Sequence, residues 1–428
     1  MSTVPGDLAL ARARDAADPL RPFRERFCLP VAADGRPLTY LCGHSLGLAP
    51  RTARDYVDRE LDDWARLGVV GHHAATRPWM TYADHAQAGL AQLAGAAPAD
   101  VVAMNSLTTN LHLMLAAFYR PRGVRTRILL EAGAFSSDRH AVASQLAWHG
   151  LDPAAHLVEL EPDPRSGVFD EAEVEAAIGR EGDRLALVLW PGVQYRSGQA
   201  FDLGRLARAA HAVGALAGFD HAHAIGNLPL SVTADEADFA IWCSYKYLNA
   251  GPGAVGGCFV HPRHTRAEGA RGLEGWWGHE AATRFRMEPR FVREPGAAGF
   301  ALSNPPVLST APLLASLELF AAAGIGALRR KSVELTAFLE ARVEQFAGRA
   351  VRVLTPPGPA QRGAQLSLQF AGGGEHARAV FGRLAGDGIV CDLREPDVMR
   401  IAPVPLYNGF EDVWHFTSRL DAALRAEG

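Results

Sequence analysis

The sequence predicts an α/β protein with a large, doubly wound, mainly parallel sheet and a small C-terminal α+β domain. Three observations predict it. Short apolar segments bounded by turn residues recur up to residue 260, which is typical of strands buried on both faces. Amphipathic helical segments alternate with them, as in strand–helix–strand units with right-handed crossovers. After a proline-rich loop at 356–359, the order becomes strand, helix, strand, strand, helix.

The predicted elements follow in order along the chain. A helix over 8–27 and a short strand precede a glycine-containing loop at 42–47, and the helix 51–67 ends at Gly68. We expect three parts: an N-terminal segment that packs with the small domain, a large α/β domain, and a linker helix with the small domain. Their bounds are 1–50, 51–312 and 313–428. The other predicted strands are 100–104, 128–130, 184–190, 216–219, 239–243, 256–260, 365–370, 389–393 and 398–402. The other predicted helices are 111–118, 140–148, 203–213, 375–386 and 410–426, together with helices over 313–346 that break at Gly324 and Gly326.

Length and composition allow two domains and disfavour several classes of function. The chain has 428 residues, of which 48% are hydrophobic and 21% charged, enough for a large core. A net charge of −4 with both signs mixed offers no polyanion-binding surface, so we expect no nucleic-acid partner. Five scattered cysteines without a CxxC pair fit a reducing compartment. No segment resembles a signal peptide or a membrane span, so we expect a cytoplasmic protein.

The chain is organised around the stretch 216–253, in which an acid and a lysine each follow a buried strand. Because ligands lie beyond the carboxyl ends of parallel strands, Asp220 and Lys246 should face one crevice. An amine and a carboxylate there suit pyridoxal phosphate: the lysine forms the Schiff base, and the acid keeps the pyridine nitrogen protonated. A lysine after a strand is usually a solvated loop residue. Its tyrosine neighbours and the upstream Asp-His-Ala-His make that interpretation the weaker one here.

Two segments are candidate walls of this crevice. Hydroxyls and free amides at 106–110, where a helix begins, would suit a phosphate, although an ordinary helix cap explains them equally simply. Phe135 could cover a flat cofactor, and Asp138 is predicted at a helix N-cap. The adjacent His72 and His73 cannot point the same way on a regular element, so we expect no joint metal site.

Eight stretches resemble the kynureninase family, a group of fold-type-I pyridoxal phosphate enzymes. FDHAHAIGN and WCSYKYLNAGPG, which contain Asp220 and Lys246, are the most specific, whereas an isolated SYK would carry no information. The matches keep the family's order through most of the chain, from about 40 to 415. They cover 41–47, 105–110, 135–138, 218–227, 242–253, 275–279, 303–306 and 400–408.

The resemblance implies a role for each matching residue. Lys246 would be the Schiff-base lysine, Asp220 the partner of the pyridinium nitrogen, and Tyr245 an acid that protonates carbon. Phe135 would stack on the ring, and Arg400 would bind the substrate α-carboxylate in a bidentate manner. The other implied cofactor contacts are Leu107, Thr108, Asp138, His223, Trp276 and Asn304, with Thr108, Tyr245 and Trp276 toward the phosphate. The other implied substrate contacts are His44, Ser45, His72 and Asn304.

The implied activity is hydrolysis of the Cβ–Cγ bond of kynurenine or 3-hydroxykynurenine to alanine and anthranilate or 3-hydroxyanthranilate. It implies a homodimer with shared active sites, in tryptophan and kynurenine metabolism. His72 with Ser303 and Asn304 resembles the version that favours 3-hydroxykynurenine, because an imidazole and an amide could bond the extra hydroxyl. Two departures stand out: His44 where the family has asparagine, and Pro191 where a hydroxyl residue often meets the cofactor.

Other functions stay open at this point. A kynureninase acting on a modified kynurenine and a fold-type-I aminotransferase are two. A cysteine desulfurase needs a mobile cysteine, and neither Cys258 nor Cys391 lies in an obvious loop. A metal-binding or regulatory protein would use His211, His221 and His223, but no acid or cysteine lies at ligand spacing. An inactive binding protein is disfavoured because both the lysine and the acid are retained.

Overall fold

The computed structural model describes residues 5–265, 271–346, 348 and 350–427. Its strands are β1 (Thr39–Tyr40), β2 (Val101–Ala103), β3 (Arg127–Glu131), β4 (Leu157–Leu160), β5 (Leu185–Pro191), β6 (Leu216–Asp220), β7 (Phe239–Cys243), β8 (Gly256–Val260), β9 (Val351–Val353), β10 (Leu366–Phe370), β11 (Ile389–Val390), β12 (Asp392–Arg394) and β13 (Val398–Ile401). Its α-helices are α1 (Pro5–Ala17), α2 (Ala53–Leu67), α3 (Gly71–Ala74), α4 (Asp84–Ala94), α5 (Leu107–Phe118), α6 (Ser136–Trp148), α7 (Pro153–His156), α8 (Glu171–Glu181), α9 (Leu203–Ala212), α10 (Pro262–Thr265), α11 (Val307–Ala323), α12 (Ile325–Phe346), α13 (Gly373–Gly386) and α14 (Phe410–Glu427). Short 3₁₀ helices lie at Arg21–Arg26, Gly68–Val70, Trp79–Thr81, Pro98–Asp100, Gly182–Arg184, Trp276–Gly278, Arg284–Arg286, Ala297–Phe300 and Pro359–Gln361.

A seven-stranded sheet in the order β2–β8–β7–β6–β5–β3–β4 separates two hydrophobic cores. From β7 to β4 neighbouring strands are parallel, and β8 is antiparallel to both of its neighbours. Alternate side chains point to opposite faces: Ala240 and Trp242 of β7 enter one core, and Phe239 and Ile241 enter the other. The predicted doubly wound, mainly parallel sheet is confirmed.

A second, four-stranded sheet forms the C-terminal part of the fold. Its order is β12–β13–β10–β9, all antiparallel, and residues of α12, α13 and α14 complete a third core against it. The N-terminal segment joins this part, because β1 pairs in parallel with β11 and Cys42 bridges to Ala402. The boundaries at 50/51 and 312/313 stay a prediction, since strand pairing defines neighbours and not folding units.

Two local predictions are wrong at their boundaries. The helix predicted over 8–27 ends at Ala17, and a 3₁₀ helix follows, because Pro19 and Pro22 interrupt the α-helical hydrogen bonds. Asp138 is not an N-cap: α6 begins at Ser136 with Phe135 as the cap residue. Asp138 therefore sits inside the first helical turn, where its buried side chain faces the sheet end instead of the helix amides.

No single helix among the described residues is long and apolar enough to cross a membrane. Val307–Ala323 and Ile325–Gln345 pass such a test only as a pair, and this pair is bent by 80°.

Candidate active site

The carboxyl ends of three neighbouring strands open into one cavity of about 130 Å³. Glu131 ends β3, Pro191 ends β5 and Asp220 ends β6, while Lys246 follows β7 by three residues. The structure thus brings Asp220 and Lys246 to the same cavity, at the sheet edge where ligands of parallel sheets bind. The lining residues are Leu107, Thr108, Glu131, Phe135, Ser137, Asp138, Pro191, Val193, Tyr195, Asp220, Ala222, His223, Tyr245 and Lys246.

The amine of Lys246 lies between an imidazole and two aromatic rings. Its Nζ is 3.0 Å from Nε2 of His223, 5.6 Å from the centre of the Phe135 ring and 5.9 Å from that of Tyr245. Burial and the nearby positive charge of Lys246 hold the pKa of His223 well below its usual value. A neutral His223 can accept a hydrogen bond from the amine, which orients Nζ toward the cavity.

Opposite the amine, three buried carboxyl groups lie together. Asp220 Oδ1 accepts a hydrogen bond from the amide of Ala222 at 2.7 Å, and Asp220 also pairs with Asp138. Burial raises the pKa of both aspartates, and the charge of Asp220 raises that of Asp138 further. Burial likewise raises the pKa of Glu131 to about 8. Glu131 therefore keeps its proton at neutral pH, and a cationic N–H donor beside Asp220 would favour the charged form of that carboxylate.

The cavity fits pyridoxal phosphate on the chemistry of its donor groups. The carboxylate of Asp220 would pair with a protonated pyridine nitrogen, and Lys246 would supply the amine for the aldehyde group. Phe135 offers an aromatic face that is 42% exposed. Leu107 and Thr108 begin α5. The first backbone amides of a helix have no partner within it, so these amides suit a phosphate group.

A guanidinium group lies on the small-domain side of this site. Arg400 of β13 is buried, its Nε is 2.6 Å from Oδ1 of Asp392, and its Nη1 is 2.9 Å from the carbonyl oxygen of Tyr195. The buried ring of His44 lies 6.4 Å from the ring of His223, centre to centre. Burial and the charge of Arg400 lower the pKa of His44 to about 4, so the ring is neutral. Arg400 thus lies beside the Lys246 cavity through its contact with Tyr195, and His44 lies beside it near His223.

Besides His44 and Arg400, four predicted residues lie outside the Lys246 cavity in this single chain. His72 and Asn304 instead line a second cavity of about 230 Å³, which Trp64 also lines. Trp276 is 42% exposed and packs edge-on against Trp277. Ser45 is half-buried on the loop of His44, and its amide donates to the carbonyl of Cys42 at 2.9 Å.

Sequence reasoning missed residues that the structure places at the site. Glu131 ends a buried strand just as Asp220 does, so the same rule could have found it. Tyr195 and Asp392 carried no such signal: Asp392 meets Arg400 only because β12 and β13 pair in a register that sets these residues opposite each other.

A metal site is not favoured by the histidines that the sequence offered. His211 bonds Asp238 at 2.9 Å at the amino end of β7, away from His223. Ligand atoms of Cys42, His44 and Asp392 lie within 4.8 Å of one another, the one such group of three among the described residues. The guanidinium of Arg400 already pairs with the carboxylate of Asp392, so its positive charge would repel a metal cation bound there.

Solved structures with this architecture include cysteine desulfurases and an enzyme that carries the PLP cofactor. The cysteine desulfurase CsdA from Escherichia coli matches with a TM-score of 0.76 and 19% identity, over 95% of this chain and 98% of its own. A C-DES mutant with glycine covalently linked to the PLP cofactor matches with a TM-score of 0.76 and 20% identity, over 90% of this chain and 96% of its own. These similarities define the class: the chain has the fold of the fold-type-I enzymes.

Sequence comparison identifies the family within that class. Residues 328–420 match the model of the kynureninase C-terminal domain. Kynureninase of Xanthomonas campestris pv. campestris (strain B100) is 56% identical over 421 residues, 98% of this chain and 99% of that protein. Kynureninase of Xanthomonas euvesicatoria pv. vesicatoria (strain 85-10) is 56% identical over 414 residues, 97% of each chain. The chain belongs to the kynureninase family of PLP-dependent enzymes that hydrolyse a carbon–carbon bond, which confirms the resemblance.

Proposed function

We propose that this protein hydrolyses the Cβ–Cγ bond of L-kynurenine or its 3-hydroxy derivative, yielding L-alanine and anthranilate or 3-hydroxyanthranilate. The observation that carries the proposal is the placement of Lys246 and Asp220 in one cavity at the carboxyl ends of parallel strands. The full-length similarity to kynureninases supports the choice of reaction within the fold class.

Pyridoxal phosphate, when bound, supplies an electron sink for the bonds at the substrate α-carbon. Lys246 is the group placed to move a proton at that carbon through Nζ, with neutral His223 as its hydrogen-bond acceptor. Tyr245 is the candidate acid for the carbon left after bond cleavage: burial raises the pKa of its hydroxyl, so the hydroxyl keeps its proton. Asp220 and Asp138 would hold the pyridine nitrogen, and Phe135 the ring face.

Recognition of the substrate would begin at its α-carboxylate. Arg400 offers a buried guanidinium, which suits planar bidentate binding of a carboxylate better than lysine would. His44 and Ser45 lie on the loop beside it, and neither ring nitrogen of His44 has a hydrogen-bond partner within the described residues. The neutral imidazole would therefore offer a donor or an acceptor to the substrate.

We place the aryl ring of the substrate against a second subunit. His72, Trp276 and Asn304 lie outside the Lys246 cavity of their own chain, which fits a homodimer whose copies each complete the other's site. An apolar surface surrounds the His72 cavity and would be covered in such a dimer: Trp64 is 61% exposed, Val69 79%, Val70 55% and Leu308 45%. Trp276 would then reach the cofactor phosphate of the partner.

The second cavity supports a preference for 3-hydroxykynurenine. His72, Asn304 and Glu60 line it together with Trp64 and Trp79, so it combines aromatic walls with polar groups. Such a wall can hydrogen-bond a ring hydroxyl, whereas a purely apolar wall cannot. We further propose a cytoplasmic enzyme of tryptophan and kynurenine metabolism.

The test of this function is aryl-acid release from L-kynurenine and 3-hydroxy-L-kynurenine by the purified, cofactor-loaded protein. Lys246→Ala should abolish turnover and the near-visible absorbance band that is specific to cofactor covalently attached to the lysine. Lys246→Arg, which retains the charge without the nucleophilic amine, is the matched control and should be equally inactive. Turnover of neither substrate by a protein that shows the cofactor band would refute the substrate assignment.

A further inference from the structure

The carboxylate of Asp392 lies near three nitrogen-bearing side chains that border the proposed carboxylate site. Its Oδ1 lies 2.6 Å from Nε of Arg400, 3.2 Å from Nε of Arg394 and 4.0 Å from Nε2 of His44. Burial alone would raise the pKa of Asp392, but His44 and Arg400 outweigh burial and hold this pKa well below its usual value. The carboxylate is therefore charged at every pH at which the enzyme would be assayed.

Two edges of the Arg400 guanidinium are already engaged by the protein. Nε binds Asp392, and one hydrogen of Nη1 binds the carbonyl oxygen of Tyr195 at 2.9 Å. Nη2 is buried and has no hydrogen-bond partner among the described residues. A buried donor without a partner costs stability unless a ligand satisfies it.

We propose that Asp392 is a positioning residue for substrate binding: it holds the Nε edge of Arg400, so that the substrate carboxylate binds end-on, across Nη1 and Nη2. This inference rests on the proposed role of Arg400. Without Asp392 the Nε edge would also be free, and the guanidinium could turn and offer a different pair of donors. The guanidinium of Arg400 would also lie near Arg394 without the Asp392 carboxylate with which both arginines now pair.

His44 cannot replace Asp392 in this role. The imidazole is neutral at neutral pH, and neither of its ring nitrogens has a hydrogen-bond partner among the described residues. It therefore contributes neither an anion nor a fixed acceptor to Arg400. The backbone carbonyl of Tyr195 fixes only one donor, about which the side chain could still rotate. Orientation of Arg400 therefore depends on the side chain of Asp392.

Binding of L-alanine and of L-alaninamide to the cofactor-loaded protein tests the proposal, with the change in cofactor absorbance as the readout. The two ligands share their shape and amine, but only L-alanine carries the carboxylate. Asp392→Ala should weaken L-alanine binding on the order of tenfold or more and L-alaninamide binding much less. The ratio of the Kd of L-alaninamide to the Kd of L-alanine should therefore fall. Asp392→Asn retains an oxygen acceptor for Nε and should lie between Asp392→Ala and the wild type.

Glu395→Gln, in the same hairpin, is the matched control and should leave the ratio unchanged, because the exposed carboxylate of Glu395 pairs with exposed Arg378 and, among the described residues, with no other cation. Equal weakening of both ligands, or an unchanged ratio in Asp392→Ala, would overturn the proposal. If Asp392→Ala does not retain cofactor, an unchanged ratio in Asp392→Asn serves as the contrary result. Because neither ligand must be turned over, a failure of kynurenine hydrolysis would leave this measurement intact and separate the two claims.

Discussion

Nζ of Lys246 lies 3.0 Å from Nε2 of His223, and this contact determines which nitrogen of the imidazole carries the proton. Because His223 is neutral, its Nε2 accepts from the ammonium form of Lys246 when the imidazole proton is on Nδ1. The amine is thereby oriented by a neutral acceptor and not by an anion. A carboxylate in that place would bind the ammonium form more strongly and hinder its work as a base.

Removal of that acceptor should slow the reaction without emptying the site. We expect His223→Phe to lower kcat roughly tenfold or more, because a buried hydrogen bond to the reacting amine is lost. His223→Gln, whose amide oxygen can still accept, should lose less. Steady-state kinetics with L-kynurenine measure the effect, and near-visible absorbance checks cofactor content. Wild-type kcat in His223→Phe would show that the contact is incidental.

Glu131 should make the cofactor-free protein less stable as the pH rises. Its pKa is raised in the fold from 4.5 to about 8, so between these values the folded state binds more protons than the unfolded state. The free energy of unfolding must then fall with increasing pH, by up to about 1.4 kcal/mol per pH unit from this group. Glu131→Gln removes the titration and should flatten the dependence, as urea unfolding at several pH values would measure. An identical slope in both proteins would contradict the account.

The polar wall of the second cavity should set the choice between the two substrates. His72→Ala and Asn304→Ala should each lower the ratio of kcat/KM for 3-hydroxykynurenine over kynurenine about tenfold, the worth of one hydrogen bond. His73→Ala is the matched control, because His73 is exposed and does not line the cavity. A wild-type ratio at or below unity would remove the proposed preference, and unchanged ratios in both variants would remove the role of these residues.

An inactive variant and a variant weakened toward 3-hydroxy-L-kynurenine should gain activity on that substrate when their subunits are mixed. If one copy supplies Lys246 and the other Asn304, a hybrid dimer of Lys246→Ala with Asn304→Ala contains one site with both residues intact. Dissociation and reassociation of the mixture should recover up to about a quarter of wild-type activity, since half of the dimers are hybrids with one good site each. No recovery from a mixture shown to exchange subunits would place Asn304 outside the shared site.

Much of this site could be predicted from hydrophobic periodicity and from the positions of residues at strand ends. Asp220 and Lys246 could be predicted to face one crevice because each follows a buried strand of a parallel sheet, and local sequence records both features. The contact of Asp392 with Arg400 depends on the register of two antiparallel strands. The sequence of either strand alone does not determine this register, so the contact could not be predicted. The separation of His72 and Asn304 from the Lys246 cavity depends on the tertiary fold, so the pattern of residues along the sequence could not predict it either.

Product stoichiometry tests the central claim most directly. Purified, cofactor-loaded protein incubated with L-kynurenine should release anthranilate and L-alanine in equal amounts, since hydrolysis of one Cβ–Cγ bond yields one of each. Chromatography of the quenched reaction quantifies both, with Lys246→Ala as the blank. Equal amounts would establish the hydrolysis. Consumption of kynurenine without anthranilate, as transamination would produce, would contradict it.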